Sequence, residues 1–594
     1  MKISKLYSNL AQKFNEIKFN EGLNFIYGDV KHPKNHDLDS HNLGKTTLAR
    51  LLDFMFLARK HKDHFLFKNK GVFEGFIFFL ELKLISGKYL TIKRGVKNNT
   101  KISFLLHDEP NQDFSSLPEE KWDYYELSFD KAKDYLDGKL NFKAIKSWDY
   151  RKLIGYLIRT QDDFHQIFQL QKYRGGKDVD WKPYMADLLG FNGELAKQRY
   201  QIDKQVSDLE NKIKEQKIDE KSALEALSKT DGRLLLRNNE LVQLTSLVEK
   251  FNFREIDDKS IERLVSELDN KIVSLNMKEY STKNNIYHLE KLFSNSKIKF
   301  NPDDVENLFN EVKILFPKQV KRDFEQLIDF NNAITKERNS YLKQELQANQ
   351  SELIKIQEEL TKLNDERAKQ LEFLQENELM DKFRESNRQI SIVQAEIIDL
   401  EKQKENIQKV LELQKQKRDL QLSLNDIQNR MVSNVSQVNN STESIFSKIR
   451  IYFNEIINAV LKKDGELFVS LNDNSNFEFK AEYQESGKNT NESQGNTYRK
   501  FLCIAFDLAV VRAYLDKEFP KFIYIDGVFD GLDDRKKELL LKVLREYSNL
   551  GIQIIATTIN SETQGMETSI MENEIVLTLH DDGQDGRLFK MPIW

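Results

Sequence analysis

Apolar residues are distributed along the chain in two textures. From Met1 to about Gly190, and again from about Asn440 to Trp594, they gather in short dense runs. Leu23–Tyr27 reads as a strand. Phe73–Ile85 and Tyr89–Val96, joined by Ser86-Gly87-Lys88, read as an antiparallel hairpin. Phe522–Ile525 and Ile552–Ala556 read as buried parallel strands flanking a helical run over Asp534–Tyr547. Between roughly 191 and 440, Lys, Glu, Gln, Asn and Leu dominate and apolar residues recur in heptads. Ile202, Val206, Leu209 and Ile213 follow a/d spacing. Leu346, Leu353 and Leu360 share one position, with Leu342, Ile356 and Leu363 on the other. Ile390, Ile397 and Leu411 alternate with Val393, Leu400 and Ile407, and Lys404 interrupts.

The chain has no proline between Pro183 and Pro302 or between Pro317 and Pro520. An interior proline costs a helix about 3 kcal/mol, so these gaps permit very long helices. Asn301-Pro302-Asp303-Asp304 reads as a helix start and Phe316-Pro317 as a second interruption. The expected organisation is therefore a head split between the chain ends, residues 1–190 and 441–594. Between them lie an ascending coiled-coil arm over 191–290, a tip over 291–335 and a descending arm over 336–440.

Composition removes several alternatives. One cysteine, Cys503, excludes an internal disulfide framework or a four-cysteine zinc site. Mean hydropathy is −0.62. No run approaches the ~18 apolar residues of a membrane span, and the start MKISKLYSNL is no signal peptide. A cytoplasmic protein without a membrane partner is expected. The 39 Phe and 20 Tyr argue against disorder, and the net charge of −4 leaves nucleic-acid binding to local patches. Arg59, Lys60, Lys62, Lys68 and Lys70, interleaved with Phe65 and Phe67, form such a candidate DNA-binding patch.

His41-Asn42-Leu43-Gly44-Lys45-Thr46-Thr47 follows an apolar run and opens a helical pattern, Leu48–Leu57. It matches the end of a phosphate-binding loop. Backbone N–H groups at a helix start cradle phosphates, Lys45 neutralises them, and the Thr46 hydroxyl ligates Mg²⁺. The glycine ending the preceding strand, Gly28, lies too far upstream for the usual spacing, which implies an insertion from Asp29 to about Asp39. His32, His36, His41, Asp37 and Asp39 there fit a polar surface loop without a metal. Near the other end, the apolar run Phe522–Ile525 delivers Asp526 to the end of a buried strand, where a carboxylate can reach Mg²⁺.

A phosphate loop at one end, Asp526 at the other and heptads between resemble the SMC-like branch of the ABC ATPases. On that resemblance Walker B runs on from Asp526 to Asp533. Ser493-Gln494-Gly495-Asn496 stands for the signature, with a helix through Ala505–Leu515 after it. Gln161, in Arg159–Phe164, stands for the Q-loop glutamine. The implied fold is an α/β ABC-type ATPase head assembled from N- and C-terminal segments, with a long antiparallel coiled-coil hairpin inserted between them. The implied cofactors are ATP and Mg²⁺, with the ion on Thr46, Gln161 and Asp526. A homodimer is implied in which each ATP meets Lys45, Thr46, Gln161 and Asp526 of one chain and Ser493 and Gly495 of the second.

Two departures stand out. Gly527 occupies the place of the catalytic glutamate, and no histidine stands near Thr558. A slow ATPase is expected, with Asp530 as base if its loop bends back. The tip lacks the Cys-x-x-Cys of zinc-hook repair ATPases and is too short for a chromosomal hinge. The short arms, the phosphate-loop insertion, Asp526-Gly527 and Phe316-Pro317…Phe330-Asn331 resemble the SMC-like subunit of Lamassu-type anti-phage systems in the ABC three-component class. That resemblance implies double-stranded DNA sensing, a small middle subunit and a controlled effector, often a nuclease. A RecN-like repair ATPase and a non-hydrolysing ATP-bound scaffold share the same head.

Overall fold

The computed structural model describes residues 1–31, 43–145, 147–173, 176–216, 219–249, 259–294, 318–371, 377–485, 488–489, 496–592 and 594. Asn42, Ser493, Gly495, the histidine-bearing insertion, Pro302, Phe316 and Pro317 lie outside the described residues. Chain contacts define two compact units, Met1–Gln205 with Leu420–Trp594, and Val206–Asp419.

The first unit joins both chain ends through one parallel sheet. Its strands are β1 (Leu23–Asp29), β2 (Ile158–Arg159), β3 (Phe522–Ile525), β4 (Gln553–Ile559) and β5 (Ile575–His580), in the order β5-β1-β4-β3-β2. All four pairings are parallel. β3 is buried throughout, as a parallel strand covered on both faces must be. β1, from the N-terminal segment, lies between β5 and β4, and β2 pairs with β3, so strands from both ends of the chain are interleaved and neither end can complete the sheet alone.

A six-stranded antiparallel sheet from the N-terminal segment lies in the same unit. The expected hairpin forms from Ile77–Lys83 and Tyr89–Gly95. Phe73 instead closes a short helical turn, Lys70–Phe73. Gly87, at φ 86, makes the left-handed hairpin turn with open space where a side chain would stand. A three-stranded sheet is built from Asp464–Leu471, Phe477–Glu485 and Lys488–Asn489.

Four helices matter for the site: α1 (Lys45–Met55), α2 (Ile445–Leu461), α3 (Asn496–Ala513) and α4 (Asp534–Asn549). α1 buries Leu48, Leu51, Leu52, Phe54 and Met55. Carbonyls at the C-terminal end of a helix favour cationic partners, and Arg94 of the antiparallel sheet supplies one there. The buried Arg94 guanidinium lies 3.9 Å from the Phe54 ring centre and donates to the Phe54 and Ala58 carbonyls at 2.5 and 3.1 Å. The antiparallel sheet thereby holds the far end of α1.

The second unit is a pair of helical stretches. Gly193–Glu215, Glu220–Glu249 and Lys259–Ser294 form the N-terminal side, and Lys318–Leu371 and Asn377–Asn440 the C-terminal side. Ala223 packs with Ile407 and Val410, Leu234 with Val393, Ile397 and Leu400, and Ile272 with Ile356 and Leu360. One partner's number rises as the other's falls, so the helices run antiparallel. Cross-helix ion pairs keep the same register: Lys417–Glu210 at 2.8 Å, Arg237–Glu396 at 2.6 Å and Arg367–Asp269 at 2.7 Å. Lys404, the heptad interruption, pairs with Asp231 at 2.8 Å. Phe330 and Asn331 lie within the helix Lys318–Leu371.

The units divide inside helices, at Gln205 and Leu420, rather than at 190 and 441. The reason is apolar: Leu195, Ala196, Ile427, Met431, Val435 and Val438 are buried in the head's own core.

Candidate functional site

The site lies at the carboxyl ends of β1, β2, β3 and β4, the edge at which open α/β sheets place ligands. Four separate chain segments converge there.

β1 ends with Gly28, where a Cβ would meet Ile559 Cγ2 at 2.9 Å and Leu43 Cδ1 at 3.3 Å. The strand and the loop returning to α1 thus approach closely only because no side chain intervenes. Gly44 caps α1 at φ 102, and a Cβ there would stand 2.8 Å from Leu588 Cβ. No side chain caps the helix start and its first turn holds no acid. The start of α1 therefore presents uncapped N–H groups and a positive dipole end, the arrangement that receives phosphate. Lys45, Thr46 and Thr47 are half-buried there.

β3 delivers Asp526 to the same place. Its carboxylate is wholly buried, and both oxygens accept hydroxyl hydrogen bonds. Thr46 Oγ1 donates to Oδ2 at 2.7 Å and Thr557 Oγ1 to Oδ1 at 2.8 Å. The second contact follows from register. Ile525 faces Ala556, so Asp526 and Thr557, one residue further along each strand, are neighbouring rungs. Tyr524, two residues before Asp526, donates its hydroxyl to the Lys45 carbonyl at 2.8 Å. β3 thus grips the start of α1 twice. A hydroxyl and a carboxylate are hard oxygen donors, the set that suits Mg²⁺ with phosphate oxygens and water completing the shell.

Gln161 follows β2, whose Arg159 pairs with Ile525 in the sheet. It is exposed at the head of the turn Gln161–His165, on the same sheet edge as Asp526. Arg159 holds that turn. It is buried, and forms a two-pronged ion pair with Asp507 of α3 at 2.6 and 2.9 Å. It also donates to the carbonyls of Asp163, Gln166 and Ile167. Burial works against the guanidinium charge, yet Asp507 more than offsets it and holds Arg159 above the ordinary arginine value. The turn carrying Gln161 is thereby tied to α3.

Asp533 caps α4, accepting from the Lys536 amide at 3.3 Å. Asp530 lies nearer the phosphate loop, because the segment after Asp526 turns back on itself. Gly527 takes φ 65, Val528 N donates to Thr557 O at 3.0 Å and Asp530 N to Gly527 O at 3.2 Å. Phe529 is buried in the core. The bend places the Asp530 carboxylate where a side chain at Gly527 would begin: a Cβ there would lie 2.1 Å from Asp530 Oδ2.

Two residues of this edge escaped the sequence reading. Lys500 of α3 donates to Asp530 Oδ2 at 2.6 Å. Glu562, just past β4, shares a hydrogen bond with Asp530. It also accepts from Thr558 Oγ1 at 2.7 Å. Burial, then the Asp530 carboxyl, pushes Glu562 up to about 7. Burial would raise Asp530 too, but the Glu562 hydrogen bond and Lys500 outweigh it and hold Asp530 below the ordinary carboxylate range. Burial lowers the Lys45 ammonium, opposed by Glu562, Asp526 and Asp530.

The basic segment after α1 is exposed at Arg59, Lys60, Lys62, Lys68 and Lys70. Arg59 lies 3.7 Å from Asp130 and Lys70 3.8 Å from Glu74. The interleaved aromatics serve the core: Phe65 is buried against Phe73 and Phe589, and Phe67 packs on Phe54. Cys503 is buried in α3. Among the described residues no helix is long and apolar enough to cross a membrane, and no His, Cys, Asp and Glu cluster forms a metal site.

A family model described as an uncharacterised protein conserved in bacteria (DUF2326) matches residues 456–593. Over 482 residues the chain is 22% identical to the uncharacterized protein YydD of Bacillus subtilis (strain 168), covering 77% of this chain and 75% of that one. Among solved structures it is similar to the Smc head domain with a coiled coil and joint from Pyrococcus yayanosii, at 14% identity and a TM-score of 0.36, covering 99% of this chain and 96% of that one. It is also similar to the Smc head domain with an extended coiled coil from Pyrococcus furiosus, bound there to the C-terminal domain of ScpA. That likeness has 11% identity and a TM-score of 0.31, covering 95% and 91% of the two chains. The strand order of the chain itself gives an α/β ABC-type head assembled from both chain ends. An antiparallel coiled coil lies between those ends in sequence.

Proposed function

We propose that the chain is an SMC-like ATPase subunit that binds Mg²⁺–ATP at the α1–β3 edge and hydrolyses it slowly. The observation that carries this reading is the Thr46–Asp526 contact at 2.7 Å beside Lys45 at an uncapped helix start. Lys45 and the α1 N–H groups would hold the phosphates, and Gln161 would approach from the end of β2. Thr46 and Asp526 would hold Mg²⁺, which when bound neutralises the β- and γ-phosphate oxygens.

On the family resemblance, two heads sandwich two nucleotides. Ser493 and Gly495 of one copy then face the phosphate loop of the other, and ATP acts as the switch between separate and joined heads. The same resemblance supports a cytoplasmic anti-phage role: sensing double-stranded foreign DNA and controlling a nuclease effector through a small middle subunit. Arg59, Lys60, Lys62, Lys68 and Lys70 would supply local phosphate contacts.

Titration of the full chain with a fluorescent ATP analogue in Mg²⁺ tests the core of this reading. Lys45→Ala is expected to weaken binding about 100-fold or more, the scale of losing a charge-assisted phosphate contact, and chelating Mg²⁺ is expected to weaken it as well. Wild-type affinity in Lys45→Ala would refute the nucleotide site. A second reading, an ATP-bound scaffold without turnover, is favoured by Gly527 and is separated by measuring phosphate release.

A further inference from the structure

The chain lacks a side chain directly after Asp526, where a carboxylate would orient the attacking water. The space for that side chain is filled from elsewhere. The turn Gly527–Asp530 folds back so that Asp530 Oδ2 lies 2.1 Å from the position of a Cβ on Gly527. Glu562 joins it from the end of β4 and Lys500 from α3. Three segments far apart in sequence thus build one carboxyl pair beside Lys45.

We propose that Asp530 is the water-orienting base of this ATPase and that Glu562 positions it by donating a hydrogen bond to its carboxylate. The inference rests on the nucleotide-binding reading above. Burial and the neighbouring Asp530 favour the protonated form of Glu562, and Lys500 pairs with Asp530. During hydrolysis the water oxygen bonds to the γ-phosphorus. The bond from that phosphorus to the β–γ bridging oxygen breaks, and its electron pair stays on ADP. One water proton passes to Asp530 and then to the phosphate product or solvent, restoring the pair. Phosphoryl transfer depends on such positioning and electrostatics more than on covalent chemistry.

The groups around the pair set its response to pH. Lys45 on α1 and Lys500 on α3 act on Asp530, Asp526 after β3 acts on the same Lys45, and Tyr27 and Asp29 reach the Glu562 turn through Thr563 and Asn560. Burial and Asp530 keep the Glu562 proton on until about pH 7. Above that pH the donor is lost, two negative carboxyls repel, and Asp530 loses its orientation. Turnover is therefore expected to fall as pH rises through about 7.

The test measures phosphate release and fluorescent-nucleotide binding on the full chain. Asp530→Asn is expected to lower turnover about 100- to 1,000-fold, the scale of removing a general base, with nucleotide affinity retained. Glu562→Ala is expected to lose turnover at every pH. Glu562→Gln, whose amide still donates, is expected to recover most of it and to lack the decline above pH 7. Gly527→Glu is expected not to raise turnover, because φ 65 disfavours a side chain and Asp530 occupies its space. Wild-type turnover in both Asp530→Asn and Glu562→Ala, with binding intact, overturns the proposal while leaving the nucleotide site standing. Binding without any turnover in the unaltered chain overturns it too. Absence of nucleotide binding in the unaltered chain overturns both readings. Thermal melts of each variant separate lost chemistry from lost folding.

Discussion

The proposed nucleotide edge and the paired helices both bring together residues far apart in sequence, but by opposite means. At the edge each contact is made once, by one pair of residues: Thr46 to Asp526, Tyr524 to Lys45, Arg159 to Asp507. Along the helices the contact is repeated, with apolar knots and ion pairs every few turns. A unique contact concentrates the penalty of its loss, whereas a repeated one spreads it.

Breaking the comparison at its strongest point means removing Arg159. Arg159→Met leaves Asp507 buried without its partner and three carbonyls without a donor. Unpairing a buried charge costs about 3–5 kcal/mol, so the head's melting transition is expected to fall sharply. A melting temperature unchanged from wild type would show that the pair is replaceable after all. Leu360→Ala, in the Ile272–Ile356 knot, removes one repeat of many. It is expected to cost about 2–3 kcal/mol, the low end for a buried leucine. Hydrogen exchange should rise locally in the flanking helices while exchange at β3 and β4 stays slow. Smallest is Glu396→Gln, which breaks the half-exposed pair with Arg237. Its effect is expected to stay under about 1 kcal/mol and to vanish in high salt. A larger, salt-insensitive loss would mean that single ion pairs, rather than repetition, set the helix register.

The two regions also differed in how far the sequence revealed them. The heptads announced the paired helices, since Leu360, Ile397 and Ile407 fall on the seam their spacing predicts. Lys45, Thr46 and Asp526 were legible because a phosphate loop and an acid-capped strand each leave a local signature. Glu562 and Lys500 left none. An acid a few residues past a strand and a lysine on a helix are common. Their meaning depends on β4 lying beside β3 and on α3 crossing the Gly527–Asp530 turn, which no local pattern encodes. The change of packing partner is equally silent in the sequence: Ile427, Met431 and Val435 continue the helical period without a break while packing into the head's core.

The buried Cys503 has a practical consequence. Its thiol is pushed up to about 12 by burial and is 3.7 Å from the Phe164 carbonyl, so almost none of it is thiolate at neutral pH. The native chain is in effect a silent background for maleimide and crosslinking chemistry. A cysteine introduced on an exposed helix position, such as Tyr341 or Leu422, can be labelled selectively without first removing the native one. The proposed joining and parting of two heads can then be followed in otherwise unaltered protein.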